Sequence, residues 1–159
     1  MTNTAIFPAS FDPITLGHVE LIKKSLKLFK KIIIAVGINS QKNYMFNIDT
    51  RIQFLNSLYK EDENIIIKQY SSLTVDFCIE NNAKYIIRGI RNNNDLIYEM
   101  DIAMANKILN PEIETIFFPS EKEHLFISST KVKELIINKS NLDGFIPKKI
   151  IEQISEIKK

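Results

Sequence analysis

Residues 31–37 have the sequence Lys-Ile-Ile-Ile-Ala-Val-Gly, and this stretch indicates the fold class more directly than any other part of the chain. Its apolar residues do not alternate with polar ones. Such a pattern is typical of a strand that is covered on both faces in a parallel sheet. We therefore take residues 31–37 as an inner strand and look for helices on either side of it in the sequence.

Short apolar segments and amphipathic segments alternate along the rest of the chain. Further strands are predicted at Thr4–Phe7, Ile65–Tyr70, Tyr85–Arg88 and Glu114–Phe118. Helices are predicted at His18–Leu28, Asp49–Leu58, Val75–Asn81, Asn94–Leu109 and Ser129–Ile137, and a last one begins at Pro147, a residue suited to a first helical turn. This alternation predicts an α/β fold, a doubly wound, Rossmann-like parallel sheet of about five strands with flanking helices. The pattern shows no repeat and no linker, so residues 1–159 are predicted to form a single domain.

Composition excludes several classes of protein. Hydrophobic residues make up 45% and charged residues 25% of the 159, which is ordinary for a globular protein. The net charge is only +2 and the lysines are scattered, so we expect no nucleic-acid partner. Cys78 is the only cysteine, which rules out an internal disulfide, and its apolar neighbours predict a buried structural thiol.

The chain shows neither a membrane segment nor a targeting segment in its sequence. The longest apolar run, Ile32 to Gly37, is far shorter than the roughly 20 residues of a membrane helix. The first residues lack a basic region followed by a long apolar one, so we expect no signal peptide. The expected location is cytoplasmic, with no membrane partner.

The predicted fold also indicates where a ligand binds. In open α/β sheets, ligands lie outside the carboxyl ends of the strands, at the point where the strand order reverses. Four segments with unusual sequences follow predicted strands: Pro8–His18, Ile38–Phe46, Arg88–Asn94 and Pro119–Thr130. We expect these segments to converge on one edge of the sheet.

The first of these segments has the features of a phosphate site. Thr15 is a good helix N-cap, and Gly17 lets a backbone or a phosphate approach closely. His18 then lies in the first helical turn, where free N–H groups and the helix dipole attract anions. Its imidazole could donate a hydrogen bond to a phosphoryl oxygen, and Ser10 offers a hydroxyl. A histidine that only packs or caps the helix is the alternative.

Two later segments carry further candidates for phosphate binding. Ser128, Ser129 and Thr130 bring three hydroxyls to the start of a helix, where unpaired N–H groups lie, although a plain serine N-cap would look the same. Arg88 and Arg91 lie at the carboxyl end of a predicted strand, and one guanidinium group can bind two phosphate oxygens at once. For these arginines, a surface ion pair is the alternative.

These motifs resemble those of a known superfamily. Ser-Phe-Asp-Pro-Ile-Thr-Leu-Gly-His at residues 10–18 is similar to the T-x-G-H loop of the nucleotidylyltransferases. Residues 127–133, Ile-Ser-Ser-Thr-Lys-Val-Lys, resemble its second motif, I-S-S-T-x-[IV]-[KR], about 110 residues later. The resemblance continues through residues 88–91 and 95–100. With this chain length, the whole sequence resembles the bacterial phosphopantetheine adenylyltransferase family.

The resemblance implies an enzyme that transfers AMP from ATP to 4'-phosphopantetheine, giving dephospho-coenzyme A and pyrophosphate. It implies His18 as the catalytic residue. The implied ATP-binding residues are Ser10, Phe11, His18, Gly89, Ile90, Arg91, Glu99, His124, Leu125, Phe126, Ile127, Ser128, Ser129 and Thr130. The implied residues for the acceptor are Ser10, Lys42, Thr74 and Arg88. Taken alone, Lys42 would be solvated, and Glu99 would be a residue that favours an early helical turn.

The resemblance also carries expectations about partners. It implies a homohexamer and raises coenzyme A as a feedback ligand. The sequence contains no cluster of carboxylates for a protein-held metal, so Mg²⁺ is expected to arrive with ATP, held by phosphates and water. Ala9 and Ser10 stand where the family commonly has glycine and threonine. Leu16 replaces a common asparagine, and His124 falls where relatives can carry tryptophan.

Two other functions fit the same residues less well. A sister nucleotidyltransferase would use another phosphorylated acceptor, such as nicotinamide mononucleotide or glycerol phosphate. A non-catalytic nucleotide-binding module would keep the fold but not turn over ATP. Ser10, His18 and residues 128–130 are all present, which argues against the second alternative.

Overall fold

The computed structural model describes residues 3–157 and contains five strands and six α-helices within that range. The strands are β1 Thr4–Ala9, β2 Lys31–Gly37, β3 Ile65–Tyr70, β4 Tyr85–Ile90 and β5 Glu114–Pro119. The helices are α1 Leu16–Ser25, α2 Ile48–Tyr59, α3 Thr74–Glu80, α4 Asn93–Leu109, α5 Ser129–Ile137 and α6 Lys148–Ile157. A short 3₁₀ turn, Lys122–His124, precedes α5.

The strands form one parallel sheet in the order β3-β2-β1-β4-β5. β2 pairs with β1 along Thr4–Ala9 and with β3 along Ile65–Tyr70, which places it inside the sheet as residues 31–37 predicted. Consecutive strands are joined by helices, because parallel strands need a crossover connection. The predicted α/β, doubly wound fold is confirmed.

Both faces of the sheet are buried. Along β2, Ile32, Ile34 and Val36 belong to one apolar cluster, which also includes residues of α1, α2, α5 and α6. Ile33 and Ala35 point to the opposite face and belong to a second cluster with α3. Successive side chains of a strand alternate between faces, so a strand covered on both sides needs an unbroken apolar run.

Cys78 lies in this second cluster on α3 and is fully buried. Burial raises the pKa of its thiol to about 12, which keeps it protonated and unreactive. The prediction of a structural thiol is confirmed. Within residues 3–157, no helix is long and apolar enough to cross a bilayer.

The sheet opens at the carboxyl ends of β1 and β4. These two strands pair only at Ala5–Tyr85 and Ile6–Ile86, whereas β4 and β5 pair over six positions. Pro8 lies in the stretch of β1 that pairs with β2 but not with β4, and it has no N–H to donate to a neighbouring strand. Since β2 and β4 lie on opposite sides of β1, the strand order reverses here, and a crevice results.

Element boundaries differ from the sequence predictions at a few ends. Helix α1 begins at Leu16, two residues before the predicted His18, because Thr15 caps it. Helix α6 begins at Lys148, and Pro147 precedes it, with its carbonyl accepting hydrogen bonds from Ile150 and Ile151. Strands β1, β4 and β5 each run one or two residues further than predicted.

Candidate active site

Three adjoining pockets open at the carboxyl ends of the strands. The His18 pocket, about 270 Å³, is lined by Phe7, Pro8, Ala9, Thr15, Gly17, His18, Glu20, Leu21, Arg88, Gly89, Arg91, Glu99, Pro119, Ser120, His124 and Ile127–Thr130. The Lys42 pocket, about 670 Å³, is lined by residues 8–10, 37–40, 42, 44, 70–72, 88 and 98. The Thr74 pocket, about 190 Å³, lies between Tyr70, Thr74, Ile102 and Asn106. Pro8 and Arg88 line all three.

The start of α1 fixes the position of His18. The Thr15 hydroxyl oxygen accepts the backbone N–H of His18 at 3.3 Å. In return, Nδ1 of the His18 ring accepts the backbone N–H of Thr15 at 3.0 Å. This reciprocal arrangement is a capping box in which histidine takes the place usually held by Glu or Gln.

The cap also determines which ring nitrogen of His18 carries the proton. Since Nδ1 accepts an N–H, the neutral ring carries its proton on Nε2, where it can be donated. The ring is half-buried and packs against Phe7 and Phe11, with centroids 5.9 and 5.0 Å away. Burial, together with the charges of Arg91 and Arg88, lowers the pKa of His18 to about 4. The side chain is therefore a neutral hydrogen-bond donor at physiological pH.

Arg88 is held at the junction of the three pockets by Glu99. Its Nε donates to a Glu99 oxygen at 2.6 Å, and a terminal nitrogen donates to the other carboxylate oxygen. The second terminal nitrogen donates to the Pro8 carbonyl at 2.6 Å, across the opened stretch between β1 and β4. A guanidinium has five N–H groups, so two are left for a ligand. Glu99, the buried acid of α4, thus orients Arg88 rather than standing free.

Arg91 is fixed in a similar way. Asp95, one turn into α4, accepts hydrogen bonds from its Nε at 2.7 Å and from a terminal nitrogen at 3.1 Å. These bonds lower the pKa of the Asp95 carboxyl and keep it charged. The other terminal nitrogen donates to the Ile127 carbonyl at 3.3 Å, which links β4 to the start of α5. The ion pairs that the sequence left as alternatives are therefore present, and they orient both arginines toward the pocket that they line.

The start of α5 closes the opposite wall of the His18 pocket. Ser128 is the N-cap, and its hydroxyl oxygen accepts the N–H of Lys131 at 3.1 Å. The Ser129 hydroxyl donates to the Pro13 carbonyl at 2.9 Å, which ties α5 to the loop before α1. Thr130 is exposed, and its hydroxyl has no hydrogen-bond partner among residues 3–157. The three hydroxyls thus differ in role, and of these only that of Thr130 makes no hydrogen bond among residues 3–157.

A polar cluster holds the loop that carries His124. Glu20 on α1 accepts hydrogen bonds from His124 Nδ1 at 2.5 Å and from the backbone N–H of Glu121 at 3.1 Å. Lys24 pairs with Glu20 at 2.6 Å and donates to the Pro119 carbonyl at 2.8 Å. Burial opposes the charge on Glu20, but the hydrogen bonds from Lys24 and His124 lower its pKa overall. His124 is consequently attached to α1 at the edge of the His18 pocket.

The Lys42 and Thr74 pockets lie on the other side of Arg88. Ser10 is half-buried and Lys42 is exposed, and both line the larger pocket. Thr74 is the first residue of α3, and its hydroxyl lies 3.3 Å from the Tyr70 hydroxyl. An extended ligand that runs from the Lys42 pocket into the Thr74 pocket would pass Arg88, because Arg88 lines both pockets.

Most of the residues proposed from the sequence come together in these pockets. Four of them line none of the three: Phe11, Ile90, Leu125 and Phe126. Phe11 is buried and supports the His18 ring, while Phe126 is 86% exposed. Their assignment to a nucleotide site remains a prediction.

Sequence reasoning missed two buried polar residues behind the pockets. Asp12 accepts the N–H groups of Met45 and Phe46, both at 2.9 Å, and so ties the loop after β2 to the loop after β1. Arg51 is 1% exposed on α2. A signal existed for Arg51, since its position in α2 falls on the apolar face with Ile48 and Leu55.

The geometry suits anions at two adjoining positions. Neutral His18, the α5 terminus and Arg91 surround one pocket, while Lys42, Ser10 and Arg88 border the other. Among residues 3–157, no group of three or more His, Cys, Asp or Glu side chains could hold a metal ion. The cationic side chains and helix N–H groups at both positions suit the binding of phosphates.

Comparison with known proteins agrees with this chemistry. The cytidylyltransferase-like family model matches residues 6–135. The phosphopantetheine adenylyltransferase of Cytophaga hutchinsonii is 41% identical over 94% of this chain and 100% of its own. That of Christiangramia forsetii is 42% identical over 90% of this chain and 94% of its own.

Solved structures show the same fold at lower identity. A bifunctional NMN adenylyltransferase/ADP ribose pyrophosphatase from Francisella tularensis matches with a TM-score of 0.72 at 18% identity, over 92% of this chain and 45% of that one. A Vibrio parahaemolyticus protein matches with a TM-score of 0.71 at 17% identity, over 98% and 93%. Family model, relatives and site geometry together lead to one conclusion: the chain belongs to the phosphopantetheine adenylyltransferase family, a group of nucleotidyltransferases.

Proposed function

We propose that this adenylyltransferase holds its two substrates in the His18 and Lys42 pockets and joins them at Arg88. The chain transfers the adenylyl group of ATP to 4'-phosphopantetheine, giving dephospho-coenzyme A and pyrophosphate. The observation that carries the arrangement is the shared wall: Pro8, Ala9 and Arg88 line both pockets. The acceptor phosphate and the α-phosphate of ATP would approach this wall from opposite sides and react directly, without a covalent enzyme intermediate.

The reaction requires one bond to form and one to break. An oxygen of the acceptor phosphate attacks the α-phosphorus of ATP and forms the new P–O–P bond. The bond between the α-phosphorus and its bridging oxygen breaks, and pyrophosphate leaves with the electron pair. Since the acceptor brings its own anionic nucleophile, the enzyme contributes positioning and charge stabilisation.

On the ATP side, His18 is the catalytic residue of the proposal. Its Nε2–H, fixed by the Thr15 cap, donates to an α-phosphoryl oxygen as negative charge develops there. The unpaired N–H groups at the start of α5 and the Thr130 hydroxyl bind the outer phosphates. Arg91 adds a positive charge near the same oxygens.

On the acceptor side, Lys42, Ser10 and Arg88 bind the phosphate of phosphopantetheine. Arg88 has two N–H groups left after its bonds to Glu99 and Pro8. The pantetheine arm extends into the Thr74 pocket, which Ile86 and Ile102 line together with Asn106. Such a mixture of apolar and amide groups suits an arm that contains amide bonds.

ATP enters this reaction as its magnesium complex. The residues described form no dedicated cage of carboxylates, so the ion is proposed to be held by ATP phosphates and water. No protein residue is assigned to it.

The remaining partners are proposed from the family resemblance and the surface. We propose a homohexamer, with coenzyme A as a feedback ligand, in a cytoplasmic setting and with no nucleic-acid partner. Residues 1–159 act as a single domain. Support for assembly comes from α4, which exposes Ile97, Met100, Met104 and Ile108 along one stripe.

Mass detection of the product tests the proposal. The protein is incubated with ATP, Mg²⁺ and phosphopantetheine, and dephospho-coenzyme A and pyrophosphate are expected in equal amounts. Parallel reactions with nicotinamide mononucleotide, glycerol phosphate and unphosphorylated pantetheine serve as controls. Faster turnover of either alternative acceptor would assign a different substrate, and no turnover of any acceptor would leave only nucleotide binding.

A further inference from the structure

Arg51 occupies a position at which the pattern of α2 calls for an apolar side chain. It lies on the same face as Ile48 and Leu55, and it is 1% exposed. Burying a guanidinium removes its hydration and is costly unless the protein replaces the lost hydrogen bonds. The contacts of this side chain therefore indicate what it does.

Its contacts join the ends of two strands. One terminal nitrogen of Arg51 donates to the Ser10 carbonyl at 2.7 Å and to the Gly37 carbonyl at 3.1 Å. Gly37 is the last residue of β2, and Ser10 follows the last residue of β1. Both residues line the Lys42 pocket, so Arg51 holds two sections of its wall from behind.

The guanidinium of Arg51 has only indirect support for its charge, which Tyr44 and Asp12 favour electrostatically. No carboxylate forms an ion pair with Arg51 among residues 3–157, and its Nε is buried without a hydrogen-bond partner. Burial accordingly lowers its pKa, although a guanidinium stays protonated at any physiological pH. A methionine of similar length would fill the same space without this desolvation, so packing alone does not account for an arginine here.

A second contact connects Arg51 to the loop that carries Lys42. The guanidinium carbon lies 4.0 Å from the centre of the Tyr44 ring, within the range of a cation–π interaction. The Tyr44 hydroxyl accepts the N–H of Asn39 at 3.0 Å and donates to the Gly37 carbonyl at 3.4 Å. Asn39 in turn accepts the N–H of Lys42 at 3.0 Å. A continuous series of contacts thus runs from Arg51 through Tyr44 to the turn that bears Lys42.

From this series we propose that Arg51 is a positioning residue for the phosphate of the acceptor. It does not line the pockets and does not touch the substrate. It fixes the turn of Lys42 against the ends of β1 and β2, so that Lys42 and Ser10 face the same phosphate. The inference rests on the proposed function, because it assigns the Lys42 pocket to the phosphorylated acceptor.

Arg51→Lys tests the inference while keeping the positive charge. Lysine cannot stack on Tyr44 as a planar group or hold both carbonyls in the same geometry. We expect the KM for phosphopantetheine to rise about tenfold, the effect of roughly one lost interaction, while the KM for ATP stays within about twofold. The affinity gap between phosphopantetheine and unphosphorylated pantetheine should narrow by the same factor.

Tyr44→Phe provides a second test, because it leaves the ring over Arg51 and removes only the hydroxyl that holds Asn39. Tyr44→Phe should also raise the KM for phosphopantetheine. In the double variant its effect should not add to that of Arg51→Lys, since both act through one series of contacts. Ile150→Val is the control for general destabilisation. Ile150 is fully buried on α6, away from the pockets, so the Ile150→Val substitution should lower the melting temperature without changing the KM for phosphopantetheine or for ATP.

The outcomes separate this inference from the function on which it rests. A selective rise in the KM for phosphopantetheine in Arg51→Lys, or in Arg51→Gln where the lysine variant folds poorly, supports the positioning role, because Tyr44 lines the pocket and Arg51 does not. Equal changes in both KM values, or none, overturn it while wild-type turnover still supports the function. Absence of dephospho-coenzyme A with the wild-type protein overturns both.

Discussion

At the scale of single residues, His18 has two roles that a simple truncation would mix. Its Nδ1 completes the cap of α1 by accepting the Thr15 N–H, and its Nε2, which has no hydrogen-bond partner among residues 3–157, can donate into the pocket that His18 lines. Loss of a cap costs about 1 kcal/mol of stability, whatever happens to catalysis. A useful substitution must therefore keep the first role and replace the rigid imidazole donor with a flexible group.

His18→Gln meets that requirement, because glutamine is a standard partner in a capping box. We expect the kcat of this variant to fall by roughly 10²–10³-fold, as for loss of a preorganised oxyanion donor. Its melting temperature and ATP affinity should stay near those of the wild type, whereas His18→Ala should also lower the melting temperature. Single-turnover rates, calorimetry and thermal melts on both variants provide the measurement. Near-normal turnover of His18→Ala, which has no side-chain donor, would remove His18 from the mechanism.

The depressed pKa of His18 predicts how stability depends on pH. The pKa is about 4 in the folded protein and 6.5 in the reference state, so the unfolded chain binds the extra proton between these values. The free energy of unfolding should then fall as pH drops from 6.5 to about 4, and this contribution should be constant above and below that window. The His18→Gln variant should lack this pH-dependent contribution to stability. Urea denaturation of the wild type and of His18→Gln at several pH values across this range is the measurement. The same change in the free energy of unfolding with pH for both proteins would contradict the lowered pKa of His18.

Arg88→Ala should weaken phosphopantetheine binding by about 1.5–3 kcal/mol, the range for a charged hydrogen bond. The variant should also lose stability, because Glu99 keeps a charge in a site where its side chain is 11% exposed. The double variant Arg88→Met with Glu99→Gln removes both charges and should regain part of the stability but none of the affinity. Calorimetry with phosphopantetheine and pantetheine separates these effects. Equal binding of the two ligands by the wild type would show that the phosphate is bound elsewhere.

At the scale of elements, the start of α5 is a helix end that stabilises the fold and that we propose also binds ATP. The side chains of Ser128 and Ser129 are engaged within the protein, one as the N-cap and the other as a tie to Pro13. The Thr130 hydroxyl makes no hydrogen bond within the described part of the chain and is exposed beside the same N–H groups. The three hydroxyls, which look equivalent in the sequence, should therefore respond differently to removal.

Thr130→Val removes the free hydroxyl and keeps the shape of the side chain. ATP should bind more weakly to this variant while AMP binding is unchanged, so the gap between the two affinities should narrow. Ser129→Ala should mainly lower the melting temperature, because it breaks the tie to the Pro13 carbonyl at 2.9 Å. Calorimetry with AMP and ATP gives the comparison. An unchanged gap in Thr130→Val would move the outer phosphates away from α5.

At the scale of the whole molecule, α4 has one face that the described residues leave uncovered. Ile97, Met104 and Ile108 are 64%, 55% and 82% exposed, and with Met100 they follow helical spacing. An exposed apolar stripe of this kind usually marks a surface that another protein covers. A second copy of the chain is the occupant that we propose.

Met104→Glu places a charge within this stripe and should shift the protein to a smaller assembly. Light scattering after gel filtration measures the mass, and circular dichroism checks that the helices persist. Ile137→Glu is the matched control, since Ile137 is 70% exposed on α5 and lies outside the stripe. A hexameric mass for both variants would exclude this face of α4 as an interface.

The sequence predicted the fold well because its strongest signals are local. The unbroken apolar run of β2 and the spacing of the helices needed no information about distant contacts. The motifs proposed to bind phosphate also lie at one edge of the sheet, as their positions after strands implied. The sequence could not predict contacts between residues that are far apart along the chain. Examples are the hydrogen bonds from Ser129 to Pro13, between His124 and Glu20, and from buried Arg51 to Ser10. Such contacts depend on how the loops pack, which periodicity does not encode.

The position of β1 between the two halves of the sheet has a consequence for the divergence of acceptor preference. Of the Lys42 and His18 pockets, residues after β2 and β3 line only the Lys42 pocket, while the His18 pocket is lined by residues in and after β1, β4 and β5. Exchange of the loop at residues 38–46 can therefore alter which acceptor is recognised without touching the groups that act on ATP. A chimera that carries this loop from a relative with another acceptor provides the starting point for laboratory evolution. Arg51 and Asp12, which anchor the two ends of the loop, are the residues such an exchange has to retain.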